Sequence, residues 1–173
     1  SAVVLNPRNL VLTNRYFEVS HVASLPGVDL SLIVELSQVS RFRFSGTGSV
    51  GYAYQQSVGE AKSFTTARFS RDSIKLQRMP LTTGLRTIFD AEYAELFFEP
   101  QLGGQWWEQS GFLDGSSQSF WIPSLSLNGG VILFGRTSGW FGGIKLAGGW
   151  ERSLGSAQRA EVSHFEIGLR TRL

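Results

Sequence analysis

The residues best suited to chemistry are charged side chains of both signs that occur at every second position of several segments. This spacing places them on one face of a β-strand, because successive side chains of a strand point to opposite sides. Inside a narrow barrel such a set forms either a static salt-bridge network or a gated ion path. We predict the static network, which comprises Arg41, Arg43, Glu95, Glu99, Lys145, Glu151, Glu166 and Arg170.

Nucleophilic and metal chemistry have little support in the sequence. There is no cysteine, which excludes disulfides, thiolate metal sites and a cysteine nucleophile. The two histidines, His21 and His164, are far apart in sequence and form no ligand cluster. Ser163 and His164 are adjacent, so on one strand they would point to opposite faces and could not readily share a hydrogen bond. We therefore predict a non-enzymatic protein without cofactor or metal.

A basic stretch between residues 62 and 78 contains Asp72 as its one acid. Its side chains could donate charge-assisted hydrogen bonds to the phosphates of lipopolysaccharide, or they could simply be solvated in a loop. Both alternatives stay open, and a lipid contact would involve Lys62, Arg68 and Arg71.

Composition limits the class of protein. The chain has 173 residues, a usual size for one domain, and we expect a single domain over residues 1–173. Charged residues make up 17%, below the roughly 25% of soluble domains. The net charge of +2 indicates neither nucleic-acid binding nor a polybasic membrane anchor. No run of 18 apolar residues exists, so the sequence contains no transmembrane helix.

The elements that must position these residues are β-strands. From Trp140 to Trp150 every second residue is apolar or Gly, with a tryptophan at each end. At a rise of roughly 3.3 Å and a tilt of about 40°, ten residues cover about 25 Å, the height of the apolar band of an outer-membrane barrel. Similar alternation predicts seven further strands, at about Leu10–Ser24, Val28–Leu36, Arg41–Gln55, Asp72–Phe89, Ala94–Trp106, Trp121–Leu133 and Phe165–Leu173.

The connections between these strands alternate in length. Short turns are expected near Gln38–Ser40, Asp90–Ala91 and Arg136–Gly139, and outer loops near Leu25–Gly27, Ser57–Arg71, Ser110–Gln118 and Ser153–Arg159. Short inner turns with longer outer loops are typical of outer-membrane barrels. The apolar parity switches near Pro80, which indicates either a β-bulge or a loop followed by a short strand.

Alternation alone leaves open which face points inward. A soluble or periplasmic calyx would place the apolar face inside and bind an apolar ligand there. The length of the segments, the near balance of charge on the polar faces and the aromatics near strand ends favour a membrane barrel. Trp107 is one of these strand-end aromatics, and the predicted interfacial belt comprises Phe42, Tyr54, Trp106, Trp121, Trp140 and Trp150.

In this pattern the sequence resembles the small bacterial outer-membrane β-barrel proteins, over most of its length. The most specific part is the C-terminus, where Phe165, Ile167, Leu169 and Leu173 follow the apolar face of the last strand. Members of the family typically end on such a strand with a terminal aromatic, which the assembly machinery recognises. Here the last residue is Leu173, and Thr171 interrupts the apolar row.

The resemblance implies a closed, all-β, up-and-down barrel of about eight antiparallel strands in a bacterial outer membrane. It also implies contact with outer-membrane lipid and with the outer-membrane assembly machinery. The predicted role is structural or interactive, through outer loops or a second envelope protein, with little or no pore activity and no nucleic-acid partner. Two alternatives stay open: a calyx for an apolar ligand, and a lipid-A-modifying barrel enzyme.

Overall fold

The computed structural model describes residues 1–7, 12–13, 17–20, 24–63, 69–110, 117–134, 141–155 and 160–171. Among these residues no helix is long and apolar enough to cross a membrane. The described strands are β1 (Ala2–Pro7), β2 (Leu12–Thr13), β3 (Phe17–Ser20), β4 (Leu25–Val39), β5 (Phe42–Ser63), β6 (Phe69–Asp90), β7 (Ala94–Ser110), β8 (Ser117–Leu133), β9 (Phe141–Ser153) and β10 (Glu161–Thr171).

Eight of the described strands form a closed antiparallel ring. The order around the ring is β1, β4, β5, β6, β7, β8, β9 and β10, and β10 pairs with β1 to close it. Each strand of the ring except β1 pairs with its neighbour in sequence, and β1 pairs with β4 from Ala2↔Val28 to Leu5↔Leu25. This confirms the predicted all-β, up-and-down architecture. Closure leaves the ring without an unpaired sheet edge.

The two ends of the ring differ in their connections. At the short-turn end, residues 40–41 join β4 to β5 and residues 91–93 join β6 to β7. Ser40 adopts a left-handed backbone with φ 56°, which reverses the chain within this tight turn. These two turns overlap the predicted ones, while the predicted turn at Arg136–Gly139 lies outside the described residues. The opposite end is called the long-loop end.

The first strand of the ring was predicted in the wrong place. Ala2–Pro7 occupies the position expected for Leu10–Ser24, and the predicted loop Leu25–Gly27 belongs to β4. The physical reason is that Leu5 is buried inside while Val4 is exposed outside, so neither face of β1 is polar. A strand that is apolar on both faces shows no alternation in the sequence.

The predicted loop Ser57–Arg71 is mostly strand. β5 and β6 stay paired through Lys62↔Phe69 at the long-loop end. β3 pairs with the same part of β5, from Phe17↔Ser63 to Ser20↔Glu60, and β2 pairs with β3. The segment predicted as the first wall strand therefore contributes to a four-stranded sheet that continues β5 and β6. We call this sheet the extension.

Pro80 causes neither a bulge nor a loop. The register of β6 with β5 is the same on both sides of it, at Val50↔Leu81 and Ala53↔Arg78. The side chains keep the same inward and outward alternation along all of β6. The apolar pattern switches in the sequence because Leu76, an apolar residue, faces the interior together with Arg78, and both are buried. The register shifts that do occur lie at Glu35/Ser37 and Arg170/Thr171.

Candidate functional site

The two faces of the ring are inverted relative to a soluble barrel. Leu30 is 74% exposed and Leu85 is 62% exposed on the outside of the wall, whereas Arg86 is 2% exposed. The same parity runs along β7, where Leu96, Phe98 and Leu102 are exposed and Glu95, Glu99 and Gln101 are buried. Burying a charge costs free energy unless the charge is paired, so this interior depends on the pairing of its charged side chains.

One pair crosses the bore near the long-loop end. The Arg78 guanidinium on β6 forms an ion pair with the Glu151 carboxylate on β9, and both side chains are buried. Arg78 Nε also donates to Gln105 Oε1 at 2.9 Å, and Ser124 Oγ donates to Glu151 Oε1 at 2.8 Å. The pair is thus supported by hydrogen bonds from two further strands.

A second pair lies deeper, towards the middle of the wall. Arg86 Nε donates to Glu99 Oε2 at 2.7 Å, and the Arg86 Cζ lies 4.8 Å from the centroid of the Phe97 ring. Gln101 Nε2 donates to the other Glu99 oxygen at 2.6 Å and its own Oε1 accepts from Thr82 at 3.0 Å. The pair therefore belongs to a continuous hydrogen-bonded network.

The short-turn end carries a branched cluster of charges. Arg43 donates to Asp90 Oδ1 at 2.8 Å, and it also lies 2.6 Å from Glu95 Oε1. Arg170 on the last strand binds the other Glu95 oxygen at 2.6 Å. Lys145 and Glu166 form a separate pair on β9 and β10, at 2.7 and 2.8 Å.

Seven of the eight residues of the predicted charge network line this interior. Arg41 does not: it lies in the turn between β4 and β5 and its side chain is exposed, which corrects its predicted position. The partners Arg78 and Asp90 were missed as members of the network. Arg78 had been placed on the outer basic stretch, and a constant parity along β6 was the signal that would have found it.

Apolar side chains close the bore at the long-loop end. Trp107, predicted among the interfacial aromatics, instead points inward and is fully buried, so that prediction is wrong. Its Nε1 donates to Gln105 Oε1 at 2.9 Å, and its ring lies 5.6 Å from the Arg78 Cζ. The cluster around it, called the apolar plug, comprises Leu5, Leu25, Ala53, Leu76, Trp107, Ile122, Ala160 and Val162.

The histidines give no catalytic arrangement within the described residues. His164 lies inside the ring, above the bare backbone of Gly149, where a Cβ would come within 2.7 Å of its Nε2. The neighbouring Ser163 donates to the Asn6 carbonyl at 3.5 Å instead. His21 lies outside the described residues. In the part of the chain that the structure describes, no three His, Asp or Glu side chains are placed to hold a metal.

Predicted belt residues lie near both ends of the wall. Phe42 packs on Phe89 at the short-turn end, with ring centroids 5.2 Å apart. At the long-loop end Trp106 is registered with Trp121, which is 56% exposed. Tyr54 is also exposed, Trp150 Nε1 donates to Glu161 at 2.8 Å, and Trp140 lies outside the described residues.

The remaining predicted sites lie in the extension and on the outer face of β10. Lys62 and Arg71 belong to β5 and β6 within the extension, while Arg68 lies outside the described residues. On β10, Phe165, Ile167 and Leu169 are 50%, 51% and 69% exposed along the outer face. Leu173 lies outside the described residues.

Comparison with known proteins supports the fold at low sequence identity. No family model and no curated protein matches the chain. The structure is similar to that of Ail, the attachment invasion locus protein of Yersinia pestis, with a TM-score of 0.51 and 15% identity, over 97% of this chain and 94% of Ail. It is equally similar to Neisserial surface protein A, with a TM-score of 0.51 and 15% identity, over 99% of this chain and 94% of that protein. Both are eight-stranded outer-membrane β-barrels, and this chain has their fold.

Proposed function

We propose that this protein is an integral β-barrel of a bacterial outer membrane, with a polar interior that ion pairs and the apolar plug fill in part, and with a structural or interaction role at its long-loop end. The observation that carries the proposal is the inversion of the two faces. Exposed leucines such as Leu30 and Leu85 would form a broad apolar surface in water, but they match the hydrocarbon of a bilayer. A calyx for an apolar ligand is disfavoured, because buried ion pairs such as Arg86–Glu99 occupy the bore.

The extension supports an interaction role. β5 continues from Tyr54, at the level of the aromatic belt, to Ser63, and β6 returns alongside it. A rise of about 3.3 Å per residue carries this paired segment well beyond the lipid boundary. The names of the two similar proteins, an attachment invasion locus protein and a surface protein, fit a role at the cell surface. The partner would be a second envelope protein or a molecule outside the cell.

Cell fractionation tests the location. The protein is expected in the outer membrane, extracted only by detergent, and shifted on gels when it is boiled, because a closed ring stays folded in cold detergent. In planar bilayers the purified protein is expected to show little or no conductance, since the apolar plug closes the bore at the long-loop end. Recovery in the soluble fraction without heat modification would contradict the proposal.

The basic residues of the extension provide a second contact. Lys62 and Arg71 lie on paired strands of the extension, and with Arg68 they would donate charge-assisted hydrogen bonds to lipopolysaccharide phosphates. Charge reversal at Arg68 and Arg71 to Glu should reduce the lipopolysaccharide that copurifies with the protein. The matched control is Arg152→Glu, an exposed residue at the same end on β9. If both variants retain equal amounts of lipopolysaccharide, these basic residues do not bind its phosphates.

A further inference from the structure

Two cavities lie inside the ring below the apolar plug. The larger, of ≈ 1230 Å³, reaches the short-turn end at Gln38 and Asp90. The smaller, of ≈ 60 Å³, lies deeper and has room for about four waters at about 15 Å³ each. The two cavities adjoin the same six side chains, Asp29, Ser31, Ser49, Thr82, Arg86 and Lys145.

The smaller cavity ends at the layer beneath the plug. Its lining includes both Arg78 and Glu151, which join each other directly below Trp107. The plug above them takes one side chain from each of β1, β4, β5, β6, β7 and β8 and two from the region of β10. Side chains that converge from nearly the whole ring close the bore completely, and an apolar constriction excludes ions by excluding water.

The second apolar cluster does not close the bore. Its members, Ile88, Phe97, Ile132 and Ala147, lie on the four consecutive strands β6 to β9. They therefore cover one side of the wall only. Ile132 itself lines the larger cavity, which passes beside this cluster.

We propose that the interior is a blind, water-filled half-channel for small cations, sealed by one layer, the apolar plug with Trp107 at its centre, and open at the short-turn end as far as the described residues define that end. The cation preference follows from the lining, where all five Arg and Lys side chains are paired with acids and two further carboxylates, Asp29 and Glu35, add negative charge. This inference rests on the proposed barrel with its long loops outside the cell. It makes the long-loop end the position of the barrier, and it makes the remainder of the bore accessible from the periplasm.

Cysteine accessibility tests the half-channel cleanly, because the chain has no native cysteine. Ser49→Cys lines both cavities below the plug, and Ser119→Cys lies exposed at the long-loop end as the control. Membrane-impermeant methanethiosulfonates are added to one face or the other of vesicles that hold the protein in one orientation. Ser49→Cys should react only from the periplasmic side, and faster with the trimethylammonium reagent than with the sulfonate one. Ser119→Cys should react from outside.

Removing the seal then identifies the barrier. In the Ser49→Cys background, Trp107→Ala should raise the rate of modification from outside by about an order of magnitude, as water enters the constriction. Leu76→Ala should act in the same direction, while Phe97→Ala, in the one-sided cluster, should not. Heat modifiability checks that each variant is folded.

Two results would overturn the inference. Modification of Ser49→Cys from outside in the protein with Trp107 intact would show that the plug is not a seal. If Ser49→Cys stays unreactive from outside in folded Trp107→Ala and Leu76→Ala variants, the barrier lies elsewhere. Neither result touches the outer-membrane location, which only the fractionation experiment decides.

Discussion

Arg78 shows how a single side chain depends on its partner inside this barrel. Arg78 is 3% exposed, and its charge is balanced by Glu151 across the bore. Gln105 and Trp107 complete its surroundings by a hydrogen bond and a ring contact. An unpaired charge at this depth would carry the full cost of its desolvation.

Glu151→Ala is therefore expected to destabilise the protein strongly. Loss of one partner of a buried pair costs about 3–5 kcal/mol, because it leaves the other charge uncompensated. The free energy of unfolding can be measured by urea titration in lipid vesicles. The control is Glu92→Ala, an exposed residue of the turn between β6 and β7, which should change stability by less than about 0.5 kcal/mol. If both variants lose the same free energy of unfolding, the Arg78–Glu151 pair contributes no more to stability than an exposed residue does.

At the scale of elements, the alternation in the sequence predicted most wall strands because their two faces differ in polarity. β7 illustrates this, with Leu96 and Phe98 outside and Glu95 and Glu99 inside. The same logic failed where the interior is apolar. β1 carries Leu5 inside, and β6 and β7 carry Leu76 and Trp107 inside, so parity was either invisible or read as a switch.

The sequence predicts which charged residues face the interior better than it predicts which of them pair with each other. Alternation placed Arg43, Glu99 and Lys145 on inward faces, but which strand faces which across the bore depends on closure of the ring. The Arg78–Glu151 pair joins β6 to β9, strands that are not neighbours, so no local pattern could reveal it. The plug likewise exists only because side chains from many strands converge on one level.

The outer face of β6 predicts a depth dependence in the membrane. Leu85 lies midway along the wall and is 62% exposed, whereas Met79, registered with Trp106, lies at the belt and is 43% exposed. Leu85→Arg should cost about 2–4 kcal/mol and Met79→Arg about 0–1 kcal/mol, since the cost of an exposed cation falls towards the interface. Refolding into vesicles at increasing urea measures both. A larger loss at Met79 would contradict the assigned membrane level.

At the scale of the whole molecule, the fold joins an apolar exterior to an interior that is sealed on one side only. Ion pairs and the apolar plug replace the single hydrophobic core of a soluble domain, and the extension continues β5 and β6 beyond the ring. In the proposed function, recognition belongs to the long-loop end, while the ion pairs inside the ring stabilise the fold. The central claim behind this division is that the exposed leucines face lipid.

The most direct test of that claim is spin-label accessibility along β6 from Arg78 to Ile88, in a chain whose lack of cysteine allows one label at each position. Labels are attached to single Cys substitutions in vesicle-reconstituted protein. The measured quantity is the collision rate of each label with oxygen, which concentrates in lipid. We expect maxima at Met79, Leu81, Thr83 and Leu85 and minima at Arg78, Thr82, Arg86 and Ile88. A profile with the maxima and minima exchanged, or a flat profile, would contradict a membrane barrel with an apolar exterior.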